Sequence, residues 1–449
     1  MGDKKNSLCS ISLAYALVIC LGSALNGDVG IYTSPAGKKI REIHHLSDSS
    51  FKWSFYGSIA FLFAAVGPFA TKFCLNKFKG KRKNTMFVIA IISLCAWLLN
   101  CLTKVNIYAG WATRALCGVS IGMFSAICAM YLVEIAPEGY SGFFGSLNQL
   151  TIFVAQAIFS FLGKVLDYMD FNYLAAAVSA LLAVTIWFIE ESPVVEALKD
   201  EHKKEKSVFK PEYVKGILIG MAMMFLQQFS GINGIVCNLA DIFRDAGLNL
   251  DPNYQSGISV CSLLLSCIIG SFIVDKLGQR FVWLLSSSIS FAGTFIMALN
   301  DKFNWSNVLP LICIFVYNFG FGLGLGPIPW FVVLQLFPEE VREGGNTICV
   351  VSNWIFAFII VMVFPTMRDS MGMFGVMLFF ACVCFLAIIF GVFLIKDPEP
   401  DEQQEKDSNI DQTDTETDEK DDLASLDDED KVVTITSSRE SMYRNPSSL

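Results

Sequence analysis

The sequence has little charge and few side chains that titrate near neutral pH. Only 17% of its 449 residues are Asp, Glu, Lys or Arg, and only three are His. Soluble domains carry about 25% charged residues, so a string of soluble domains is excluded. The 14 cysteines are too sparse for a secreted disulfide scaffold, and no Cys/His spacing is typical of zinc. The net charge of −9 argues against a nucleic-acid partner.

What the sequence has in abundance is long apolar stretches. Hydrophobic residues make up 53% of the chain, and 39 residues are Phe. A helix needs about 20 apolar residues to cross a bilayer. Twelve stretches meet that length, near residues 9–31, 53–75, 85–103, 107–132, 143–163, 172–189, 212–236, 255–274, 281–299, 306–333, 346–365 and 373–395. The sequence therefore predicts an all-α membrane protein with twelve transmembrane helices, surrounded by the lipid bilayer.

The charges separate the chain into a body and a tail. Residues 397–449 hold 18 acidic and 5 basic residues with few apolar ones, which predicts a disordered acidic tail of unknown partner. The expected organisation is a six-helix bundle over 1–189, a linker over 190–211 and a second six-helix bundle over 212–396. Lys and Arg concentrate at 77–83 and 199–215, and such loops stay in the cytoplasm. Both termini are therefore expected there. The expected site is the plasma membrane, with an endolysosomal or vacuolar membrane as the alternative.

The two predicted bundles repeat short motifs at corresponding places. Lys77-Phe78-Lys79-Gly80-Lys81-Arg82 follows the second apolar stretch, and Asp275-Lys276-Leu277-Gly278-Gln279-Arg280 follows the eighth. Glu134-Ile135-Ala136-Pro137-Glu138 closes the fourth, and Gln335-Leu336-Phe337-Pro338-Glu339 closes the tenth. The two pairs have nearly equal separations along the chain. This indicates an internal duplication, and hence two pseudo-symmetric bundles.

The polar residues inside the apolar stretches are mainly amides and indoles. Polar groups are expensive in a bilayer, so they are functional candidates. There is no membrane-embedded string of acids or histidines and no ladder of arginines. Amides both donate and accept hydrogen bonds, which suits a neutral polyhydroxylated ligand, although they also join helices to one another. The candidate ligand-binding residues are Gln149, Gln227, Gln228, Asn233, Trp330, Asn353 and Trp354.

Two of the predicted helices contain glycines and prolines that favour a break. Gly231 and Gly234 lie among three amides, and Gly326, Pro327 and Pro329 precede Trp330. On an ideal helix Asn233 and Gln228 would point about 140° apart. Unwinding at the glycines could bring them together. Irregular backbone at this depth is tolerated where it is buried or lines a cavity, so both breaks are predicted hinges.

These motifs together resemble the sugar porters of the major facilitator superfamily. Gln227-Gln228-Phe229-Ser230-Gly231-Ile232-Asn233 is similar to the QQLSGIN element of that family, Gly326-Pro327-Ile328-Pro329-Trp330 to GPIPW, and Ser352-Asn353-Trp354 to SNW. The resemblance covers residues 9–398 and implies a hexose site at mid-membrane between two bundles, formed by the candidate residues above. The chain departs from the family at Gly322, Ala357, Cys237 and Asn238, and residues 256–274 contain no Asn or Gln.

The expected function is transport of glucose or a related hexose by alternating access, without a cofactor. No nucleophile–base pair, phosphate loop or metal cluster points to an enzyme. A proton-coupled symporter and a non-transporting sugar sensor are the alternatives. Asp28, the one acid of the first apolar stretch, has two interpretations: a proton carrier, or a hydrated carboxylate near the outer mouth. The second interpretation predicts facilitated diffusion.

The family resemblance also implies ion pairs between the cytoplasmic helix ends. The candidates for this inner gate are Lys81, Arg82, Arg114, Glu134, Glu191, Asp275, Lys276, Arg280 and Arg342. Four positions that usually carry charge in the family are neutral here: Asn76, Ser141, Val194 and Gln335. Because lost pairs weaken the closed inner gate, the sequence predicts a resting protein that favours the inward-open state more than a fully charged relative would.

Overall fold

The computed structural model describes residues 2–137, 140–193, 195, 208 and 210–395, and the regular structure of this part of the chain is helical. The helices are α1 Gly2–Ile31, α2 Thr33–His44, α3 Phe51–Ala64, α4 Gly67–Lys77, α5 Arg82–Asn100, α6 Ile107–Glu134, α7 Ser141–Leu162, α8 Tyr168–Thr185, α9 Pro211–Phe229, α10 Ile232–Val236, α11 Leu239–Ala246, α12 Pro252–Leu277, α13 Gln279–Phe303, α14 Leu309–Gly320, α15 Ile328–Gln335 and α16 Glu339–Leu394. Short turns occupy Cys101–Lys104, Ile186–Phe188 and Phe321–Leu325.

The described helices account for the predicted membrane crossings. Within the described residues, eleven continuous stretches are long and apolar enough to span a bilayer. The last of them, Gly344–Leu394, has 51 residues and contains Gly372, whose φ of 70° and ψ of 176° are not helical. It therefore comprises two crossings, and the prediction of a twelve-helix, all-α membrane protein is confirmed. The predicted tail over 397–449 and most of the linker over 190–211 lie outside the described residues.

Glycines allow the helices of the first half to approach closely. A Cβ placed on Gly118 would lie 2.1 Å from the carbonyl oxygen of Ala60, and one on Gly122 would lie 2.1 Å from that of Ala64. These glycines are four residues apart on α6, so they form one small-residue face on which α3 rests. Such faces are the usual means by which membrane helices pack, since lipid provides no hydrophobic driving force between them.

The first half, ending at residue 193, packs against the second half, starting at residue 210, most extensively along a seam of two helix pairs. One pair is α3 with α16, where the Phe61 ring lies 6.3 Å from that of Trp354. The other is α7 with α12, where a Cβ on Gly257 would come within 2.6 Å of the Phe161 ring.

The connection between the first two membrane stretches contains a helix. Residues Thr33–His44, which lie outside the predicted apolar stretches, form α2. Its end is capped by His45, which adopts a left-handed conformation with φ of 50°. The helix is amphipathic, and it buries Thr33, Ser34 and Arg41. The connection between α1 and α3 is therefore packed against the rest of the structure.

Candidate substrate-binding site

The seventh membrane segment is broken where its glycines predicted a break. Helix α9 ends at Phe229, Gly231 has a φ of 108°, and helix α10 starts at Ile232. A side chain at Gly231 would be strained by that φ and would also meet the Phe380 ring at 2.5 Å. The break lets Asn233 donate a hydrogen bond of 2.6 Å to Oε1 of Gln228. A continuous helix would hold these two amides apart. Gly234 lies within the short helix after the break.

The amides of the second half form one connected network. Nδ2 of Asn353 donates to Oε1 of Gln227 over 2.6 Å, and Oδ1 of Asn353 accepts from Nε2 of Gln228 over 3.1 Å. With the Asn233–Gln228 bond, four amides from α9, α10 and α16 are joined. Gln227, Gln228 and Asn353 are all buried. Sequence reasoning grouped these residues, and the structure brings them into contact.

The second break supplies two backbone carbonyls to this network. The chain forms a π-helical turn at Phe321–Leu325 before helix α15. Pro329 has no N–H, so it cannot bond the carbonyl of Leu325 four residues earlier. The N–H of Trp330 bonds the carbonyl of Pro327, which frees that of Gly326. Nε2 of Gln227 donates to both freed oxygens, at 3.2 Å to Leu325 and 2.6 Å to Gly326.

The remaining candidates flank this network from both halves. Trp354 is buried, and its Nε1 is a buried donor with no partner among the described residues. Trp330 is half-buried at the start of α15. Gln149 is half-buried on α7, next to Asn148, which accepts a hydrogen bond of 2.6 Å from Ser23. Asn148 thus joins α7 to α1, as the helix-joining interpretation of the amides expects.

Sequence reasoning missed two further amides. Gln156 lies two helical turns after Gln149 on α7, is buried, and has a buried Oε1 without a partner in the described structure. Its spacing of seven residues from Gln149 was a signal that it shares that face. Asn318 on α14 donates 3.0 Å to the carbonyl of Ser259, and its Oδ1 is likewise unpartnered within the described part of the chain. It places an amide beside α12, the helix that contains no amide of its own between residues 256 and 274.

Asp28 does not lie in water. Its exposed fraction is 3%, so the interpretation as a hydrated carboxylate at the outer mouth is wrong. Arg114 is also misplaced by the sequence interpretation, because it is buried seven residues after the start of α6, at the opposite end of that helix from Glu134. Its Nη2 donates 3.2 Å to the carbonyl of Val29, and its guanidinium lies over the rings of Tyr32 and Tyr56. Arg114 is therefore excluded from the inner gate.

At the end of the bundle that is expected to face the cytoplasm, the first half has a well-formed charge cluster. Arg82 pairs with Glu134 through two bonds of 3.0 and 2.7 Å, and the carboxylate of Glu191 accepts from the backbone N–H groups of Arg82 and Lys83. Lys81 is exposed at the start of α5.

The second half arranges its inner residues differently. Arg280 donates 2.8 Å to the carbonyl of Val392, and Arg342 donates 3.4 Å to that of Phe337. Lys276 is exposed, and the side chain of Asp275 is outside the described residues. The bonds from Arg82 to Glu134 and from Arg280 to Val392 each stay within one half of the molecule.

Comparisons with known proteins agree with this arrangement. The facilitated trehalose transporter Tret1 of Bombyx mori is 27% identical over 439 residues, covering 86% of this chain and 84% of the relative. The sugar transporter ERD6-like 6 of Arabidopsis thaliana is 24% identical, covering 87% and 90%. The inward-open structure of the xylose transporter XylE from E. coli superimposes with a TM-score of 0.75 at 19% identity, covering 87% of this chain and 97% of that one. This likeness shows the fold of the major facilitator superfamily.

A family-level match settles the class of protein. The sequence matches the family described as "Sugar (and other) transporter" over residues 15–211 and again over residues 195–398. These ranges leave out only the ends of the chain. The chain is a multi-pass membrane protein and not an enzyme, and it belongs to the family of sugar (and other) transporters.

Proposed function

We propose that this protein transports a monosaccharide, glucose or a related hexose, by alternating access. The observation that carries the proposal is the network of Gln227, Gln228, Asn233 and Asn353 at two helix breaks beside the seam. We further propose that residues 1–189 and 212–396 are the bodies that rock against each other.

The chemistry of this network supports a neutral sugar. Each amide offers both a donor and an acceptor, and each sugar hydroxyl needs both. A hydroxyl that inserts between two amides therefore exchanges an amide–amide bond for two amide–hydroxyl bonds. The indoles of Trp354 and Trp330 offer apolar faces to the C–H surface of a sugar ring. None of the four amide residues carries a charge, so an ionic substrate would lack a partner among them.

Gln149 and Gln156 extend the proposed site into the first half. Both lie on α7, which packs on α12 across the seam. A sugar held by amides of both halves would be released toward whichever side the halves separate, which is the requirement of alternating access. Gly231, Gly326, Pro327 and Pro329 would serve as hinges, because irregular backbone absorbs the changes of φ and ψ.

We propose facilitated diffusion as the mode of transport, with the N-terminus in the cytoplasm and the plasma membrane as the location. The 27% identical Tret1 relative is described as a facilitated trehalose transporter. This description supports facilitated diffusion, and it is the reason to include trehalose among the sugars tested. A proton-coupled symporter is the second candidate. It is favoured by the burial of Asp28, because a buried carboxylate needs either a proton or a cationic partner. Similar solved structures include a D-xylose–proton symporter.

Uptake into vesicles tests the proposal. The purified protein is reconstituted, and entry of radiolabelled glucose, xylose and trehalose is followed with and without a proton gradient. We expect glucose to equilibrate across the membrane at a rate that the gradient does not change. Accumulation against the concentration gradient would support the symporter instead. Binding of glucose without entry would identify a sensor, and entry of trehalose in preference to glucose would overturn the hexose assignment.

A further inference from the structure

At the outer end of the seam, helices α1 and α2 are bonded directly to the segment that follows α10. Oγ1 of Thr33 donates 3.1 Å to the carbonyl of Cys237, and the thiol of Cys237 donates 3.1 Å to the carbonyl of Gly30. The N–H of Ala240 donates 3.0 Å to Oγ of Ser34. These contacts lie on the far side of the membrane from the N-terminus, and they close the seam there.

The same contact contains a buried ion pair between the halves. Nη2 of Arg41 on α2 lies 2.9 Å from Oδ1 of Asp241 on α11, and the two side chains are only 6% and 7% exposed. Arg41 also pairs with Asp48 at 2.7 Å and lies 4.8 Å above the Trp53 ring. Asp241 also pairs with Arg244 on its own helix. A partner within the same half thus holds each of the two side chains in position to contact the other half.

The surroundings make this pair a switchable contact. Taking two charges out of water costs several kcal/mol, and their attraction roughly offsets that cost when the geometry is good. Separating the halves returns both charges to water, so opening does not leave a bare charge in an apolar place. Each charge also keeps its own-half partner, Asp48 for Arg41 and Arg244 for Asp241. Removing only one charge is different, because the closed state would then bury the other without its cross-half partner.

We propose that Arg41 and Asp241 form a reversible latch that closes the outer end and sets how often the sugar site opens to that side. The latch rests on alternating access, the mechanism proposed above. It predicts that loss of the Asp241 charge shifts the population toward the outward-open state, whatever sugar the protein carries.

Cys237 is a built-in reporter of this opening. Its thiol is 3% exposed within the closed contact, so a polar maleimide should reach it only when the outer end opens. Cys101, half-exposed at the end of α5, serves as the reference thiol. The labelling rate of each cysteine is measured by mass spectrometry of the purified full-length protein in nanodiscs, without any sugar. The comparison uses wild type, Asp241→Asn and the matched control Asp48→Asn, which removes a different partner of the same arginine.

We expect Asp241→Asn to label Cys237 about tenfold faster than wild type, the ratio that about 1.4 kcal/mol produces. Asp48→Asn should label at nearly the wild-type rate, because it leaves the contact between the halves intact. Arg41→Lys keeps the positive charge but loses the planar guanidinium, which can form two parallel hydrogen bonds. Cys237 should therefore be labelled at an intermediate rate in this variant. If Asp241→Asn is unstable, the latch is tested instead by comparing the Cys237 labelling rates of Arg41→Lys and Asp48→Asn.

Two results would overturn the latch: an unchanged Cys237 rate in both Asp241→Asn and Arg41→Lys, or an equal acceleration by Asp48→Asn. Sugar uptake by the same variants separates this inference from the proposed function. If wild type takes up no sugar but Asp241→Asn still exposes Cys237, the proposed function fails and the latch stands. If uptake is normal and Cys237 does not respond, the latch alone fails.

Discussion

The side-chain amide of Asn353 donates a 2.6 Å hydrogen bond to Gln227, and so ties the eleventh membrane crossing to the end of α9. Gln227 in turn donates to carbonyls freed by Pro329 and by the irregular turn before it. One glutamine therefore connects both helix breaks. A ligand that competes for hydrogen bonds with the Gln227 amide would therefore change the contacts of three segments of the second half at once.

Replacing Gln228 by Ala should weaken sugar binding. Gln228 bonds both Asn353 and Asn233, so its loss leaves buried amides and a sugar hydroxyl without partners. Such a loss costs about 1–3 kcal/mol, or about 5- to 150-fold in affinity. Gln227→Ala should behave similarly. Sugar binding to the purified variants is measured by tryptophan fluorescence and confirmed by uptake. Asn148→Ala is the matched control, because Asn148 bonds Ser23 within the first half. Wild-type affinity in both glutamine variants, with normal thermal stability, would remove them from the site.

Gly231→Ala should destabilise the protein more than Gly372→Ala. Both glycines have positive φ, of 108° and 70°, so a side chain at either is strained by about 1–3 kcal/mol. A Cβ at Gly231 would also meet the Phe380 ring at 2.5 Å, whereas nothing lies within 4 Å of one at Gly372. Thermal unfolding in detergent should therefore show a larger loss for Gly231→Ala. Equal losses would indicate that the packing of Phe380 against the break does not contribute.

The amide network shows how far the sequence could predict the site. The residue types of the site could be predicted from the sequence, because polar groups inside apolar stretches are rare and costly. The helix breaks could be predicted too, because glycine permits the left-handed conformation. The hydrogen-bond partners could not be predicted, since the bond from Asn353 to Gln227 depends on how two distant helices rotate.

The resemblance placed Arg114 at the wrong end of its helix. Arg41 lies outside the predicted apolar stretches, and the helix that positions it, α2, becomes apparent only from the surface it buries. Asp28 was misjudged because a single carboxylate at a helix end gives no sign of its depth.

Asp28→Asn distinguishes the two candidate mechanisms. Under facilitated diffusion the variant should still equilibrate sugar across vesicles, with a rate changed only through packing, because Asn has nearly the same shape. Under proton coupling it should lose accumulation driven by a proton gradient while exchange between labelled and unlabelled sugar continues. We expect equilibration in wild type and variant alike. Gradient-driven accumulation in wild type that disappears in Asp28→Asn would replace facilitated diffusion by symport.

Gln335→Glu should move the resting population toward the outward-open state. In the first half, Glu134 takes both bonds from Arg82. Gln335 stands at the corresponding place in the second half and is exposed and neutral. A carboxylate there would add an anionic group at the inner helix ends of the second half, and we expect it to stabilise their closed arrangement. Partly exposed ion pairs contribute about 0–1 kcal/mol to stability. The ratio of outward-open to inward-open protein is therefore expected to rise by up to about fivefold. Labelling of Cys237 at the outer end should then accelerate. Gln335→Met, which adds no charge, should leave that rate unchanged, and Glu134→Gln should slow it by weakening the inner end of the first half. The same Cys237 rate in all of these variants would show that helix-end charges do not set the resting state.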